Sequence, residues 1–375
     1  MAERNPIKGE DRRIRYAVVG LGHIAQVAVL PAFAHASENS ELVALVSSDP
    51  EKLKRLGERH GVATLASYDE YDSLLESGRV DAVYLALPNT LHRDFAVRAA
   101  RRGVHVLCEK PMAVTSRECE AMIRSAEEAN VRLMIAYRLH FEEGNLETAE
   151  VVASGTIGEP RIFNSTFTQQ VREGDVRLRK DLGGGPVYDM GVYCINAARY
   201  LFRDEPLEVS ALAASGDPRF DEVAETVAVT MRFPGEKLAS FVCGFGAEQV
   251  NAYRIVGAKG VLRVEPAYTY GSAIRHELVT GGRRELREFP RRDQFAPEIV
   301  YFSRCVLEED EPEPSGIEGM IDVRIVEAIH RSIEQRGRVE TLDLEGRRRR
   351  PERSQGMQKP PVKPEALVNT APPTR

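Results

Sequence analysis

The sequence contains no tryptophan, and only 7% of its 375 residues are aromatic. It also lacks any apolar stretch close to the roughly 18 residues of a membrane-spanning helix, so we expect no membrane partner. Lysine and arginine (51) are outnumbered by aspartate and glutamate (57), which gives a formal net charge of −6. A generally basic surface for nucleic acid is therefore absent, and we expect no nucleic-acid partner.

The five cysteines are an odd, scattered set without the spacing of a metal site. They are Cys108, Cys119, Cys194, Cys243 and Cys305. Reduced thiols in a cytoplasmic enzyme are the simplest interpretation, and we predict no metal ion. The polar segment 1–11 lacks the apolar run of a secretory signal. Arg12 and Arg13 precede an apolar run, as in a twin-arginine export signal, but a buried strand explains that run better.

The chain length exceeds the roughly 250–300 residues at which a single hydrophobic core stops growing, which predicts two domains. Up to residue 137, short apolar segments alternate with helical patterns, as in βαβ units around a parallel sheet. We expect strands at residues 14–19, 42–47, 82–87, 105–108 and 132–136. We expect helices at residues 51–60, 68–77, 92–102 and 116–129. The predicted fold is a doubly wound, Rossmann-type α/β domain over residues 14–137, after an N-terminal extension, residues 1–13.

The second half, residues 138–345, has a different pattern. Residues 222–233 alternate apolar and polar side chains, Pro234-Gly235 predicts a turn, and residues 238–245 predict the returning strand. Further strands are expected at 254–256 and 261–264, and a helix at 320–335, where isoleucines recur at helical spacing. We predict an α+β domain with a largely antiparallel, open sheet.

The last thirty residues, 346–375, differ from the rest in composition. They hold six of the 21 prolines and carry a net charge of +6, against −12 for the remaining 345 residues. Four consecutive arginines, residues 347–350, contribute most of this charge. Such a proline-rich, charged composition is typical of disorder, so we predict a basic, disordered tail.

A glycine-rich motif follows the first predicted strand. Its sequence, Gly20-Leu21-Gly22-His23-Ile24-Ala25, fits the G-x-G-x-x-G/A pattern of dinucleotide sites. The first glycine permits a tight turn, the second lets the backbone approach a pyrophosphate, and the small last residue lets helix and strand pack closely. The start of the next helix offers N–H groups to the phosphates. We expect this helix to kink or end early at Pro31.

The end of the second strand bears on the choice between NAD and NADP. An enzyme that uses NAD often carries an acidic residue there for the ribose hydroxyls. This chain has Ser47, a small residue that leaves room for a 2′-phosphate, and Lys52 follows one helical turn later. Asp49 is better explained as the N-cap of the next helix, with Pro50 at its first position. NADP is therefore the favoured cofactor, and NAD stays possible.

Two further segments follow neighbouring strands of the predicted parallel sheet. They are residues 87–92, Leu-Pro-Asn-Thr-Leu-His, and residues 109–112, Glu-Lys-Pro-Met. Both lie at the carboxyl ends of strands, where open α/β sheets bind ligands. Lys110 would therefore be held in a defined place at the cleft, although a lysine alone would be explained as an exposed loop residue.

A third segment combines glycines with polar residues. Residues 183–185 are three glycines before Pro186, which predicts a loop that enters a helix at its first turn. Asp189 and Tyr193 then lie four residues apart, a spacing that places both on one face of the helix. Together with Lys110, they form a candidate catalytic group.

With these motifs the sequence strongly resembles the glucose–fructose oxidoreductase family, which includes inositol dehydrogenases and related sugar oxidoreductases. The resemblance covers residues 14–338, with further likeness at residues 137–140 and 177–179. It rests on Gly20-Leu21-Gly22, Leu87-Pro88-Asn89-Thr90-Leu91-His92, Glu109-Lys110-Pro111-Met112 and Asp189-Met190-Gly191-Val192-Tyr193. It implies an NADP-dependent oxidoreductase that transfers a hydride between a nicotinamide cofactor and a sugar or a sugar-derived polyol.

The resemblance also implies roles for the matching residues. Lys110 would contact the substrate hydroxyl and the cofactor, and Asp189 would orient the substrate. Tyr193 would be the general acid or base, where most members have histidine. A tyrosine has an ordinary pKa of about 10, so a nearby ammonium such as Lys110 must favour the phenolate. The sugar would be bound by Lys110, Arg138, His140, Arg177, Asp189 and Tyr193, with Tyr188 as a further candidate contact. The cofactor would be bound by Gly20, Leu21, Gly22, His23, Ile24, Ser47, Lys52, Leu87, Pro88, Asn89, His92, Glu109, Lys110 and Arg138.

One departure from the family concerns the substrate. Val176 stands before Arg177, where close relatives often have tryptophan, so an apolar wall for a sugar ring is either missing or supplied by tyrosine or phenylalanine. Two alternatives stay open: a sugar–sugar oxidoreductase that keeps and recycles its NADP(H), and a cofactor-sensing regulator without catalysis. The intact set of Lys110, Asp189 and Tyr193 argues against the regulator. The resemblance also implies a homodimer or homotetramer formed through the C-terminal sheet.

Overall fold

The computed structural model describes residues 12–344 and 351–374. Residues 1–11 of the predicted N-terminal extension and the arginine run 347–350 lie outside the described residues. The chain forms a six-stranded parallel sheet and a nine-stranded, largely antiparallel sheet. The predicted combination of a Rossmann domain and an α+β domain is confirmed. Within the two described ranges, none of the helices has the length and hydropathy of a membrane span.

The first sheet has the strand order β3-β2-β1-β4-β5-β6 of a doubly wound fold. Its strands are β1 (Ile14–Val19), β2 (Ser40–Val46), β3 (Thr64–Ala66), β4 (Ala82–Leu85), β5 (His105–Glu109) and β6 (Leu133–Ala136). Every residue of β4 is buried, because both faces of the sheet are covered. Strand β3 is absent from the predicted set, since three residues with Leu65 exposed give no periodic signal.

Helices cover the first sheet on both faces. They are a π-helix (Ala25–Val29) that continues into α1 (Leu30–Ala32), followed by α2 (Pro50–His60), α3 (Tyr71–Glu76), α4 (His92–Arg101) and α5 (Ser116–Glu128). The first of these helices ends early, beside Pro31, as predicted. Asp49 accepts hydrogen bonds from the backbone N–H groups of Glu51 and Lys52, at 3.0 and 3.1 Å. It therefore caps α2, as predicted.

One helix from the second half of the chain completes the first domain. The second half of the chain contains α6 (Glu143–Ala153), α7 (Val192–Phe202) and α8 (Phe295–Glu308). Of these, α8 buries Ile299 and Phe302 in the same core as β1. The Tyr16 hydroxyl lies 2.7 Å from Ser303 Oγ. The sequence patterns did not predict this helix, whose apolar face serves a distant sheet.

The second sheet has the strand order β14-β13-β12-β11-β7-β10-β9-β8-β15. Its strands are β7 (Pro160–Gln170), β8 (Glu208–Ala214), β9 (Thr226–Phe233), β10 (Lys237–Gly244), β11 (Gly246–Gly257), β12 (Gly260–Val264), β13 (Ile274–Thr280), β14 (Arg283–Phe289) and β15 (Glu340–Thr341). The predicted hairpin is present as β9 and β10, with Phe233 opposite Lys237 around Pro234-Gly235. The central strand β7 pairs in parallel with β10 and antiparallel with β11.

Helices α7 and α9 (Gly316–Glu334) pack against one face of the second sheet. They are tied together by the buried Arg199, whose Nη1 lies 2.6 Å from Asp322 Oδ1 and 3.0 Å from Glu318 Oε1. Burying a charge is costly unless it is paired, so this cluster fixes how α7 sits on α9. The opposite face of the sheet is open and exposes Leu212 and Leu238.

The C-terminal strap, residues 351–374, differs from the predicted disordered tail. Val368 is fully buried in the core beside β1, and the amide of Gln355 donates to the Glu313 carbonyl at 2.8 Å. Arg59 and Glu365 form an ion pair at 3.2 Å. The strap is ordered because its few apolar and amide side chains find partners far away in sequence, which composition does not reveal.

Candidate active site

The glycine-rich loop connects β1 to the first helix. Gly20 has φ +89°, and a Cβ there would lie 2.4 Å from the Ala86 carbonyl oxygen, so only glycine fits. At Gly22, by contrast, a Cβ would have no neighbour within 4 Å. The backbone at Gly22 therefore borders open space, next to the start of a helix that has no side-chain cap at Ile24. This arrangement fits a pyrophosphate, which needs close backbone approach and free N–H groups.

The end of β2 fits a phosphate better than a bare ribose hydroxyl. Ser47 is buried, and its Oγ accepts a hydrogen bond from the Asp49 N–H at 3.2 Å. The Asp49 carboxylate is engaged by the α2 backbone and by the Asn369 amide, whose nitrogen lies 3.2 Å from Oδ2. Lys52 lies in the first turn of α2 and is half-buried. Ser47 and Lys52 are thus the residues available to a 2′-phosphate.

Lys110 follows directly after β5 and reaches across to the second domain. Its Nζ lies 3.0 Å from the Asp189 carbonyl oxygen, 3.3 Å from Asp189 Oδ1 and 4.6 Å from the centre of the Tyr193 ring. Burial opposes the charge on Lys110, but the electrostatic effects of Tyr193, Asp189 and Glu109 outweigh it and raise the pKa of Lys110 above its ordinary value. Lys110 is therefore held as an ammonium between the predicted orienting carboxylate and the predicted acid–base residue.

A glycine loop positions Arg177 against Asp189. A Cβ on Gly184 would lie 2.4 Å from the Arg177 carbonyl oxygen, and the Gly185 N–H donates to the same oxygen at 2.9 Å. The loop can therefore fold tightly onto Arg177 only with glycine at position 184. Arg177 Nε then lies 2.8 Å from Asp189 Oδ2, and Nη1 lies 3.2 Å from Asp175 Oδ1.

Asp189 lies in a π-helix, Val187–Gly191, which runs directly into α7. Burial opposes its ionisation, but the Arg177 guanidinium and the Lys110 ammonium hold the pKa of Asp189 well below its usual range. Single π turns in longer helices are frequent at functional sites. Lys110 contacts Asp189 and Tyr193 together, so the two side chains face the same cleft, as their spacing predicted.

Tyr193 belongs to a wall of aromatic rings. The centres of the Phe167 and Tyr268 rings lie 5.7 and 5.9 Å from the centre of its ring. The Arg138 guanidinium lies 5.1 Å from the Tyr193 ring centre and 5.2 Å from the Tyr270 ring centre. Phe167 and Tyr193 are half-buried, whereas Tyr268 is 2% exposed and packs behind them. The apolar faces of a sugar ring pack on aromatic rings, so the exposed parts of Phe167 and Tyr193 fit the predicted apolar wall.

Three residues of this wall, Phe167, Tyr268 and Tyr270, were not predicted, because none of them belongs to a motif. Tyr268 and Tyr270 stand two residues apart after strand β12, and this pair of aromatic residues was the pattern in the sequence that could have indicated them. Gln294 was also missed; its side chain accepts a hydrogen bond from Arg138, which donates to the Tyr268 carbonyl as well. Arg138, which is 5% exposed, is thus fixed beside the Tyr193 ring.

Two predicted site residues do not reach the cleft. His92 is fully buried, and its ring nitrogens lie 3.0 Å from the carbonyl oxygens of Pro111 and Leu87. It therefore ties the two motif loops together and offers no free atom to a cofactor. His140 is 1% exposed, and its Nε2 lies 2.8 Å from Asn196 Oδ1. It belongs to the buried network behind α7 and not to a sugar site.

Other predicted cofactor residues support the site from behind. Asn89 donates its amide to the Gly183 carbonyl at 2.8 Å and so holds the glycine loop. Glu109 accepts a hydrogen bond from the Tyr84 hydroxyl at 2.9 Å, and burial raises the pKa of Glu109. Leu87 is buried, whereas Pro88, His23 and Ile24 are half-buried and border the cleft. The five cysteines are buried and unpaired, and no cluster of potential metal ligands occurs in the part of the chain that the structure describes.

Comparison with known proteins gives two family matches. Residues 14–137 match the oxidoreductase family with an NAD-binding Rossmann fold, and residues 145–263 match the GFO/IDH/MocA C-terminal domain. The D-xylose 1-dehydrogenase (NADP(+)) of Haloarcula marismortui is 31% identical over 332 residues, which are 86% of this chain and 92% of that protein.

Two solved structures add to this comparison. The aldose–aldose oxidoreductase of Caulobacter crescentus, complexed with glycerol, aligns with a TM-score of 0.84 and 38% identity over 88% of this chain and all of the other. A 3-ketoreductase of Actinomadura kijaniata, in complex with NADP and TDP-benzene, aligns with a TM-score of 0.78 and 29% identity. That alignment covers 86% of this chain and 98% of the other.

Proposed function

The chain belongs to the GFO/IDH/MocA family of oxidoreductases, and from this premise we propose which residues perform its chemistry. It is an NADP-dependent oxidoreductase that transfers a hydride between the nicotinamide and a sugar or a sugar-derived polyol. We propose that Lys110, Asp189 and Tyr193 are the catalytic residues. The observation that carries this proposal is the position of the Lys110 ammonium, which contacts the Asp189 carboxylate and the Tyr193 ring together.

Hydride transfer to or from the sugar carbon is the chemistry that a bound nicotinamide supplies. The chain's own residues must move the accompanying proton. Tyr193 would take the proton from the sugar hydroxyl during oxidation and return it during reduction. The Lys110 and Arg138 cations lie beside its ring, 4.6 and 5.1 Å from the ring centre. Lys110 would donate a hydrogen bond to the same hydroxyl, and Asp189 would orient it.

We propose an aldose, oxidised at its anomeric carbon, as the substrate. Two relatives, the D-xylose 1-dehydrogenase and the aldose–aldose oxidoreductase, support this substrate class. The half-buried rings of Phe167 and Tyr193 support it as well, since they place aromatic carbon beside polar and charged groups. The Arg177 side chain is partly exposed and is held in place by Asp189. It would bind sugar hydroxyls other than the one that reacts.

The test is a panel of aldoses, ketoses and polyols, assayed with NADP and with NAD by absorbance at 340 nm. We expect an aldose to reduce NADP faster than any polyol does, and NADP to be preferred over NAD. Lys110→Ala should lose this activity, whereas the exposed Lys180→Ala should retain it. Equal rates in the wild type and in Lys110→Ala would contradict the assignment of Lys110.

The open face of the second sheet supports our proposal of a homodimer or homotetramer. Ile162 on β7 and Leu238 on β10 lie opposite each other in the sheet, and both are exposed. Leu212 on β8 is 61% exposed. A second copy of the chain would bury these side chains. Light scattering should give an oligomer for the wild type and a smaller species for Leu238→Glu. The buried, unpaired cysteines support our parallel proposal of a cytoplasmic enzyme.

A further inference from the structure

The last ten residues of the C-terminal strap, 365–374, cross the cofactor cleft from the first domain to the second. They leave α2 at Arg59, whose Nη1 lies 3.2 Å from Glu365 Oε2 and 2.9 Å from the Ala366 carbonyl oxygen. They end at the loop after β7, where Val171 and Thr374 form an isolated antiparallel bridge. This stretch therefore contacts both walls of the cleft.

The Gln26 side chain fastens the strap to the glycine-rich loop. The Gln26 amide nitrogen donates to the carbonyl oxygens of Leu21 and Val368, at 2.9 and 3.0 Å. Gln26 Oε1 accepts from the Val368 N–H at 2.8 Å. Gln26 is 1% exposed and Val368 is fully buried. One glutamine thus couples the dinucleotide loop to the strap through three buried hydrogen bonds.

The next residue reaches the end of β2. Asn369 has φ +45°, a left-handed conformation that asparagine tolerates, and its amide nitrogen lies 3.2 Å from Asp49 Oδ2. Asp49 stands two residues after Ser47, which we assign to the 2′-phosphate. The strap therefore bends over the end of the cleft that would receive the adenosine half of the cofactor.

The end of the strap contacts the loop that carries Arg177, the residue that binds Asp189. The Arg172 N–H donates to the Pro373 carbonyl at 2.9 Å, and Asp175 in the same loop binds Arg177. A Cβ at Gly22 would meet no atom of the strap within 4 Å, so the strap does not cover this position of the glycine-rich loop. The contacts of the strap therefore run around the position where the backbone would approach a pyrophosphate.

We propose that residues 365–374 are a further part of the cofactor site: a clasp that closes over the adenosine half of bound NADP(H) and slows its release. The proposal rests on the proposed function for the identity of the ligand. It extends that function, because an enzyme that releases its cofactor slowly can pass a hydride from one sugar to another without exchanging NADP(H).

The test measures release of NADPH and not turnover. NADPH bound to the full chain is displaced by excess NADP in a stopped-flow instrument, and the loss of NADPH fluorescence gives the dissociation rate. We expect removal of residues 365–375 to raise this rate about tenfold or more. Val368→Asp, which places a charge in a buried position, should do the same without shortening the chain. Val362→Asp, the same change at a half-buried strap position before the crossing, is the matched control and should leave the rate unchanged.

Hydrogen exchange gives a second readout that needs no variant. NADP should slow exchange of the backbone amides of residues 365–371 in the full chain, since the clasp would close on the ligand. An unchanged dissociation rate after deletion would overturn the inference. A slower release, or a tighter NADPH affinity, after deletion would overturn it as well, because the strap would then compete with the cofactor. If the full chain bound no NADPH, the proposed function would fail together with the inference, and that outcome is distinct from the other two.

Discussion

The Lys110 ammonium lies over the ring of Tyr193, 4.6 Å from its centre, while its hydrogen bonds go to Asp189. The lysine from the first domain thus contacts two residues of the second domain at once. Because the contact with Tyr193 is to the face of the ring, it does not depend on the tyrosine hydroxyl. Chemistry at the hydroxyl and packing at the ring can therefore be separated by mutation.

Tyr193→Phe should abolish most activity without disturbing the fold. The variant keeps the ring that Lys110 and Arg138 contact but removes the group that would transfer the proton. Loss of a general acid or base lowers kcat by about 10²–10⁴, and we expect a change in the free energy of unfolding of less than about 1 kcal/mol. Kinetics at saturating sugar and urea unfolding measure the two effects.

The neighbouring Tyr188 provides the matched control for this change. Its hydroxyl donates to the Val114 carbonyl at 2.9 Å, so Tyr188→Phe removes a structural hydrogen bond. We expect a loss of stability of about 1 kcal/mol and little change in kcat. If Tyr188→Phe and Tyr193→Phe lost activity equally, Tyr193 would have no special role as acid or base.

Asp189→Asn should move the alkaline limb of the kcat/KM profile to lower pH. Asp189 is one of the groups that raise the pKa of Lys110, so removal of its charge lets that pKa fall. Lys110 then loses its proton at a lower pH. Asp175→Asn is the control, because Asp175 binds Arg177 and makes no hydrogen bond to Lys110 within the described residues. An unshifted limb in Asp189→Asn would rule out this coupling.

His140 should make the fold less stable as the pH falls. Burial lowers the pKa of His140 to about 4, whereas histidine in an unfolded chain titrates near 6.5. Between these values the unfolded chain binds a proton that the folded chain does not. The free energy of unfolding must therefore fall as the pH drops through this window, by up to about 1.4 kcal/mol per pH unit.

Urea unfolding of the wild type and His140→Phe at pH 7 and pH 5 measures this contribution. The stability lost between the two pH values should be about 2 kcal/mol smaller in the variant. The buried His276, whose pKa is also lowered to about 4, titrates in both proteins and cancels from the comparison. Equal losses in the two proteins would mean that His140 does not stay neutral in the fold.

Ser47 and Lys52 should set the preference for NADP. Ser47→Asp would bring a carboxylate next to a 2′-phosphate, and like charges in contact are strongly unfavourable. We expect kcat/KM for NADP to fall about tenfold or more relative to NAD. Lys52→Ala should weaken NADP alone, whereas Lys54→Ala, an exposed lysine on the same helix, should change neither cofactor. If Lys52→Ala lowered kcat/KM for NADP and for NAD equally, Lys52 would not bind the 2′-phosphate.

Regular patterns in the first domain were enough to predict its fold. The bounds of its predicted strands lie within about two residues of β1, β2, β4, β5 and β6, because buried parallel strands are continuous apolar runs. The second sheet was predicted less completely. Strand β14 (Arg283–Phe289) is almost wholly exposed and rich in charge, so it has no alternating apolar face to recognise.

In the site, sequence motifs indicated the residues whose side-chain direction follows from local structure. Lys110 directly follows β5, and Asp189 and Tyr193 lie four residues apart at the start of one helix. Tertiary packing decided the rest. Arg138 and His140 lie in the same short turn, Arg138–Phe141, yet Arg138 lies against the Tyr193 ring and His140 bonds to Asn196. Contacts such as Gln26 with Val368 join residues 342 positions apart, and no local pattern in the sequence encodes them.

The parallel pairing of β7 with β10 has a consequence for how substrate preference can change. Two parallel neighbours require the chain to leave the sheet and return, and this excursion starts after Gln170 and contains Arg177, Asp189 and Tyr193 in succession before α7 ends at Phe202. Three of the proposed substrate residues therefore lie in one contiguous segment of the chain. Exchanging residues 171–202 between relatives would replace these three together, while Lys110, Arg138 and the ring of Phe167 would stay in place.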